Sequence, residues 1–225
     1  STPRATTTPA VVEAMSKPER LGAAEIVPGG RVGVARFPAD AQTASELLEA
    51  AQTARMGIPA TGEQVAIFTP EARAAALRKL AVESGLRHAA ARGELGLSYQ
   101  LQADLTTGEI AGAQVIMNWT SQTLGSVPAH EFLPIAMQTG LIVMLGDWKR
   151  EAICQQLRAW EQVGVRVPRL SMRISQLELQ QPDMVEKLRQ NLLANSLQAQ
   201  ALGIEISEQA LFNASPELVD LEPAA

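Results

Sequence analysis

Between residues 110 and 119 the chain reads IAGAQVIMNW, an alternation that puts Gln114, Ile116 and Asn118 on one face of a strand and Ala113, Val115, Met117 and Trp119 on the other. Upstream, ELGLSYQLQADL alternates Leu95, Leu97, Tyr99 and Leu101, and the intervening TTGE predicts an antiparallel hairpin turning at Thr106 to Gly108. Past the hairpin the period lengthens. Residues 129 to 138 and 147 to 163 read as helices, the second capped by Asp147 and ended by Gly164. RLSMRIS reads as a strand at 169 to 175, residues 182 to 195 as a helix, and ALGIEIS as a further strand. Strands alternating with helices predict a parallel sheet, closed or doubly wound, with functional residues at the C-terminal ends of the strands.

The first third is patterned differently. Residues 11 to 20 read as a short helix, and EIVPGGRVGVARFPAD as one or two strands around a Pro28-Gly29-Gly30 turn. Asp40 or Thr43 can cap a helix through ASELLEAAQTARM, with Leu47, Leu48, Ala51 and Arg55 along one side and Gly57, Pro59 and Gly62 stopping it. A short strand, QVAIF, follows. Thr69-Pro70-Glu71 is a helix start, with a capping hydroxyl, a proline at the first helical position and an acid in the first turn. That helix runs to about Arg92, ends at Gly93, and is expected to link two domains, residues 1–69 and 70–225.

With 225 residues and 46% apolar side chains, the chain can bury a core. Nineteen basic against 24 acidic residues, with no basic run longer than Lys149-Arg150, argue against a nucleic-acid surface. The single Cys154 and the isolated His88 and His130 exclude a disulfide framework and a cysteine- or histidine-based zinc site, and they suit a reducing cytoplasm. No run approaches 18 apolar residues and STPRATTTPA lacks a signal-peptide core, so no membrane contact is expected of this segment. Trp119, Trp148 and Trp160 read as packing residues, and Cys154, beside Ile153 and Leu157, as a small core residue.

The order of ELGLSYQLQADLTTGEIAGAQ, SVPAHEFLPIAMQTGLI, LGDWKREAICQQLRAW, LSMRIS and IEISEQAL resembles the N-terminal half of the EAL-domain cyclic di-GMP phosphodiesterases. RVGVARFPAD followed by ASELLEAAQTARM resembles the C-terminal part of a GGDEF diguanylate cyclase domain. The resemblance implies an α/β fold: the first half of a modified TIM-like (β/α)8 barrel with an antiparallel first strand, preceded by the C-terminal part of an α+β GGDEF-like domain. The family's later landmarks would fall beyond Ala225, so a longer parent or a partner chain is expected to complete the barrel.

In that family, magnesium or manganese held by the motif glutamate, an asparagine and further acids activates a water that cuts cyclic di-GMP. Matched residue by residue, the motif glutamate falls at Gln114, the phosphate-gripping arginine at Asn118 and the metal-ligand asparagine at Arg173. Glu205 and Glu208 keep their acids around Ser207, Gln100 survives from the YQP strand beside Leu101 in place of the proline, and an acid of the second helix falls at Met137. Two charges are lost and a permanent cation enters the metal position, where Glu205 is expected to pair with Arg173. The resemblance thus implies a catalytically inactive signalling module with a vestigial site of Gln100, Gln114, Asn118, Arg173 and Glu205, no metal and no cofactor. Its expected partners are cyclic di-GMP and signalling proteins, a second copy of the chain included. A scaffold that has lost cyclic di-GMP and a working phosphodiesterase are the alternatives.

Overall fold

The hairpin is the longest regular sheet element. In the computed structural model, which describes residues 13–14, 17–21, 24–26, 30–58, 64–165, 167–208 and 210, the chain divides into two compact units, Ser1–Leu80 and Ala81–Ala225.

In the first unit, β1 (Glu19–Leu21) pairs antiparallel with β2 (Ala24–Ile26), and β3 (Val32–Val34) pairs parallel with β4 (Val65–Ile67). The helix expected over residues 11 to 20 is therefore replaced at its end by a strand, whose ladder bonds to β2 outweigh a weak helical pattern. The Pro28-Gly29 part of the expected turn, and the stop signals Pro59 and Gly62, lie outside the described residues. Helix α1 (Ala44–Met56) starts at Thr43, which with Glu46 forms a reciprocal capping box. Asp40 does not cap: its carboxylate accepts from the Arg36 backbone N–H and guanidinium. The packed stripe is also shifted, with Ala50 and Ala54 buried beside Phe68 while Leu48 is exposed. The small side chains let β3 approach closely, since a Cβ on Gly33 would lie 1.9 Å from the Ala51 carbonyl oxygen.

Helix α2 (Pro70–Ala89) contains the division between the units, and the Thr69 hydroxyl caps it by accepting from Ala72 N–H. It ends one turn earlier than Arg92, and Gly93, in the left-handed region at φ 66°, turns the chain into the sheet.

The second unit is built on one mixed sheet. Strands β5 (Leu95–Ala103) and β6 (Ile110–Ser121) are antiparallel, with Leu95 opposite Trp119 and Gln100 opposite Gln114. The turn is held by Asp104, whose carboxylate accepts from Thr106 and Thr107 N–H. Strand β7 (Gly125–Val127) folds back on the end of β6. Strands β8 (Leu170–Ile174) and β9 (Leu202–Ile206) then add in parallel.

Helices α3 (Ala129–Thr139) and α4 (Leu141–Gln162) connect β6 and β7 to β8. The second of these begins at Leu141, six residues before the expected cap at Asp147. Gly140, at φ 74°, is the joint between the two helices, and LIVMLG is apolar enough to be drawn in as the first turns of α4. Asp147 is an interior residue whose charge goes to ion pairs. The expected helix at 182–195 is shorter, α6 (Met184–Ala194), and is preceded by α5 (Gln176–Leu179), capped by Ser175 and Glu178.

The outer face of the sheet is the apolar one. Val115, Leu170, Met172 and Ile174 pack with Ile153, Cys154, Leu157, Leu179 and Met184. Met117 and Trp119 pack with Val82, Leu86, Phe132 and Leu145. Each such fully buried aliphatic side chain is worth about 1.5–3 kcal/mol. These contacts fix which way every second residue points, and therefore what the inner face presents.

Candidate functional site

Register decides the composition of the inner face. Gln114 is opposite Gln100 on β5 and Ser171 on β8, Ser171 is opposite Gly203 on β9, and Arg173 is opposite Glu205. Because side chains alternate, Gln100, Gln114, Asn118, Arg173 and Glu205 share one face, opposite to the packed one. Gln100, Asn118 and Arg173 are exposed there, and Gln114 and Glu205 are half-buried. All five candidate residues thus lie on one face of the sheet.

One contact defines it. The Gln114 side-chain amide on β6 donates to the Glu205 carboxylate on β9 at 2.5 Å, reaching across β8. Small residues make this crossing possible: Ser171 and Gly203 stand between the two, and a Cβ on Gly203 would lie 2.8 Å from the Ser171 hydroxyl. The expected Arg173–Glu205 salt bridge is corrected by this contact. The two residues are cross-strand neighbours, but Glu205 is held by Gln114, and among the described residues the Arg173 guanidinium makes no ion pair.

Arg173 is nonetheless fixed at its backbone. Its carbonyl accepts from Lys149 Nζ at 2.7 Å. Lys149 is one member of a buried charge network that the chain's patterning did not disclose. The Glu178 carboxylate, 1% exposed, accepts from Ser175 N–H and Oγ and faces Lys149 Nζ at 3.5 Å and Arg150 Nη1 at 3.4 Å. Arg150 also pairs with Asp147, which Lys187 reaches at 3.1 Å. Desolvation holds the Lys149 ammonium below the usual lysine range, with Glu178 opposing that shift. Gly146 is required by the same network, because a Cβ there would sit 2.0 Å from a Glu178 oxygen. Two signals were present: Ser175-x-x-Glu178 is a capping-box spacing, and Lys149-Arg150 interrupts the apolar side of a helix.

The other candidate residues take ordinary positions. Cys154 is buried and its thiol is pushed up to about 11 by desolvation, which suits packing and not nucleophilic chemistry. Trp119 is buried edge-to-face against Phe132 and donates its indole N–H to Glu94 at 2.9 Å. Trp160 meets Tyr99 edge-on. No described helix is long and apolar enough to cross a membrane.

The family model of the EAL domain matches residues 83–221. The chain belongs to the EAL domain family. It is 30% identical over 214 residues to the bifunctional diguanylate cyclase/cyclic di-GMP phosphodiesterase MucR of Pseudomonas aeruginosa, covering 94% of this chain and 31% of that protein. It is 27% identical over 195 residues to the cyclic di-GMP phosphodiesterase PdeR of Escherichia coli, covering 86% of this chain and 29% of the relative. This chain therefore spans about a third of the length of these relatives. Among solved structures, the PaMucR phosphodiesterase in its c-di-GMP complex matches with a TM-score of 0.56 and 29% identity over 59% of this chain and 54% of that one. The Xanthomonas citri FimX EAL domain, solved with c-diGMP, matches with a TM-score of 0.55 and 21% identity over 62% of this chain and 54% of that one, a likeness of fold. The second unit thus has the α/β fold of EAL domains, part of a TIM-like barrel, with a mixed sheet.

The divalent metal that the family resemblance implies does not suit this donor set. Magnesium takes near-octahedral oxygen ligands and favours carboxylates. The inner face of this EAL domain offers one carboxylate, already accepting from an amide N–H, beside a guanidinium that cannot be deprotonated. Among the described residues no group of three or more His, Cys, Asp or Glu side chains converges anywhere.

Proposed function

We propose that this EAL domain is a non-hydrolytic signalling module that regulates partner proteins, within a GGDEF-EAL type protein that belongs to cyclic di-GMP signalling. The observation that carries the reading is the Gln114–Glu205 hydrogen bond. It joins a neutral amide to the acid that the family pattern assigns to metal, and it leaves Arg173 as the nearest cross-strand charge. A water needs a Lewis acid or a strong base beside it to attack a phosphodiester at neutral pH, and this face provides neither.

The names of the relatives support the signalling context, since MucR carries both cyclase and phosphodiesterase activities in its name and matches 94% of this chain. The parallel β3-α1-β4 unit supports reading residues 1–69 as the tail of a GGDEF-like domain. A scaffold that has lost the nucleotide draws on Asn118, which lacks the guanidinium that would make charge-assisted bonds to phosphate.

The test is hydrolysis by the full-length protein. Incubated with cyclic di-GMP and magnesium or manganese, it should release no linear dinucleotide above the blank over hours. Sustained turnover would overturn the reading.

A further inference from the structure

We infer that the tip of the β5-β6 hairpin and the turn that ends α4 form a self-association surface, through which a second copy of this chain docks by an apolar contact. The inference concerns a different part of the second unit from the candidate site and holds whether or not that site hydrolyses a nucleotide.

Five large apolar side chains collect there: Leu101, Leu105, Ile110, Val163 and Val165 range from 47% exposed at Val165 to fully exposed at Leu105. The backbone brings them to one end of the sheet. In the hairpin Leu101 is opposite Ala113 and Ile110 is opposite Ala103, and Leu105 stands in the turn between the strands. The Arg169 carbonyl, in the connection from α4 to β8, accepts from Ala113 N–H at 2.9 Å, so this connection runs against the start of β6. Trp160 meets Tyr99 with ring centroids 4.7 Å apart, and Val165 N–H donates to the Trp160 carbonyl at 2.9 Å. The turn holding Val163 and Val165 is therefore beside Tyr99, whose next neighbour on the same face of β5 is Leu101.

Leu105 is the residue that the fold leaves without a role. The turn is held by the Asp104 carboxylate on Thr106 and Thr107 N–H, which asks nothing apolar of position 105, and a leucine left in water gives up the gain that burial would return. Together the five residues expose about 600 Å², the upper end of the apolar patches that monomers show. Apposed about a twofold axis, two such patches remove about 1,200 Å² from water, the area at which specific interfaces begin. The surrounding charges suit a second copy. Arg158 and Glu161 pair with each other at 3.4 Å, and Asp104 is satisfied within its turn. Exposed Glu109 and Arg169 border the patch with opposite signs, as a twofold contact needs, since a residue of one copy meets a different residue of the other. An apolar centre inside a polar rim is the anatomy of such a contact.

Cross-linking of the full-length protein reads this contact apart from association elsewhere in the molecule. Thr106→Cys places a thiol beside Leu105, and a short bis-maleimide should join two copies of that variant into a dimer. Ser126→Cys, in β7 at the other end of β6, should stay uncoupled and serves as the control for any other thiol, Cys154 being buried. Adding Leu105→Asp and Val163→Asp to the Thr106→Cys variant should lower the dimer yield at least about 10-fold, because each aspartate carries a charge into the apolar contact. Adding Leu105→Met should leave the yield within about twofold, since shape and apolar character are kept. Circular dichroism should show every variant folded, as expected for exposed side chains. The inference is overturned if Thr106→Cys yields no more dimer than Ser126→Cys, or if the two aspartates leave its yield unchanged. It is overturned as well if the wild-type protein, and not Leu105→Asp, sediments with vesicles of phosphatidylcholine and phosphatidylglycerol, which would assign the patch to a bilayer.

Discussion

A glutamate placed at position 114 alone is expected to damage this domain and to confer no phosphodiesterase activity. Gln114→Glu replaces a donor by a carboxylate that must sit against Glu205, because the amide it removes touches that residue at 2.5 Å. With charge centres about 4 Å apart and an effective dielectric of about 20, the repulsion is about 4 kcal/mol. Arg173, the cross-strand neighbour of Glu205, offsets part of this, which leaves about 2–3 kcal/mol in a half-buried site. The pair relieves the repulsion by holding one proton, so one carboxyl is raised above the ordinary value of about 4.3. The folded state then binds that proton more tightly than the unfolded state does. Stability of the variant is accordingly best near the unfolded value and falls as pH rises through the raised one. Urea unfolding followed by circular dichroism should show a gap between wild type and Gln114→Glu that widens by about 2 kcal/mol from about pH 5 to about pH 8. Magnesium should not close that gap, because Arg173 still repels a dication, and no linear dinucleotide should form. The triple variant Gln114→Glu, Asn118→Arg, Arg173→Asn should be stabilised by magnesium and is the one expected to hydrolyse cyclic di-GMP. If the single variant gains as much from magnesium and turns over as fast as the triple, Arg173 is not beside the reacting position and its assignment fails.

Three further outcomes follow from the packing. Glu178→Gln should cost about 3–5 kcal/mol in urea unfolding, because Lys149 would be left buried without a counter-charge and Arg150 would keep only Asp147, and Gly146→Ala should approach that loss by displacing the same carboxylate; a loss below about 1 kcal/mol in both would show the network to be dispensable. The Trp119 indole and the Gln122 N–H hold the Glu94 carboxyl below its ordinary range, so its contribution is complete above about pH 4.3 and fades as pH falls through the lower folded value. The stability difference between wild type and Glu94→Gln, read by tryptophan fluorescence, should therefore shrink on acidification. Cys154, with its thiol pushed up to about 11, should resist a disulfide reagent at about pH 8 in the native protein and react promptly in urea.

The chain's own pattern determined the hairpin, its turn and its two faces. Strict alternation through Trp119 admits one arrangement in which Ala113, Val115, Met117 and Trp119 are covered, and the same parity sends Gln114 and Asn118 to the other side. The strands around Met172 and Ile204, and the helix beginning at Pro70, were readable for similar local reasons. What failed locally was the choice among competing signals. Asp147 has the form of a helix cap, yet the apolar run before it is buried and pulls the helix back to Gly140. Only the tertiary structure decided who pairs with whom among the charges. Glu205 had Arg173 directly opposite and was expected to take it, but parallel strand geometry and the room above Ser171 and Gly203 bring Gln114 to it instead. Lys149, Arg150 and Glu178 meet for the same kind of reason: residues nearly 30 positions apart are brought together by helix packing, and desolvation then makes their pairing obligatory.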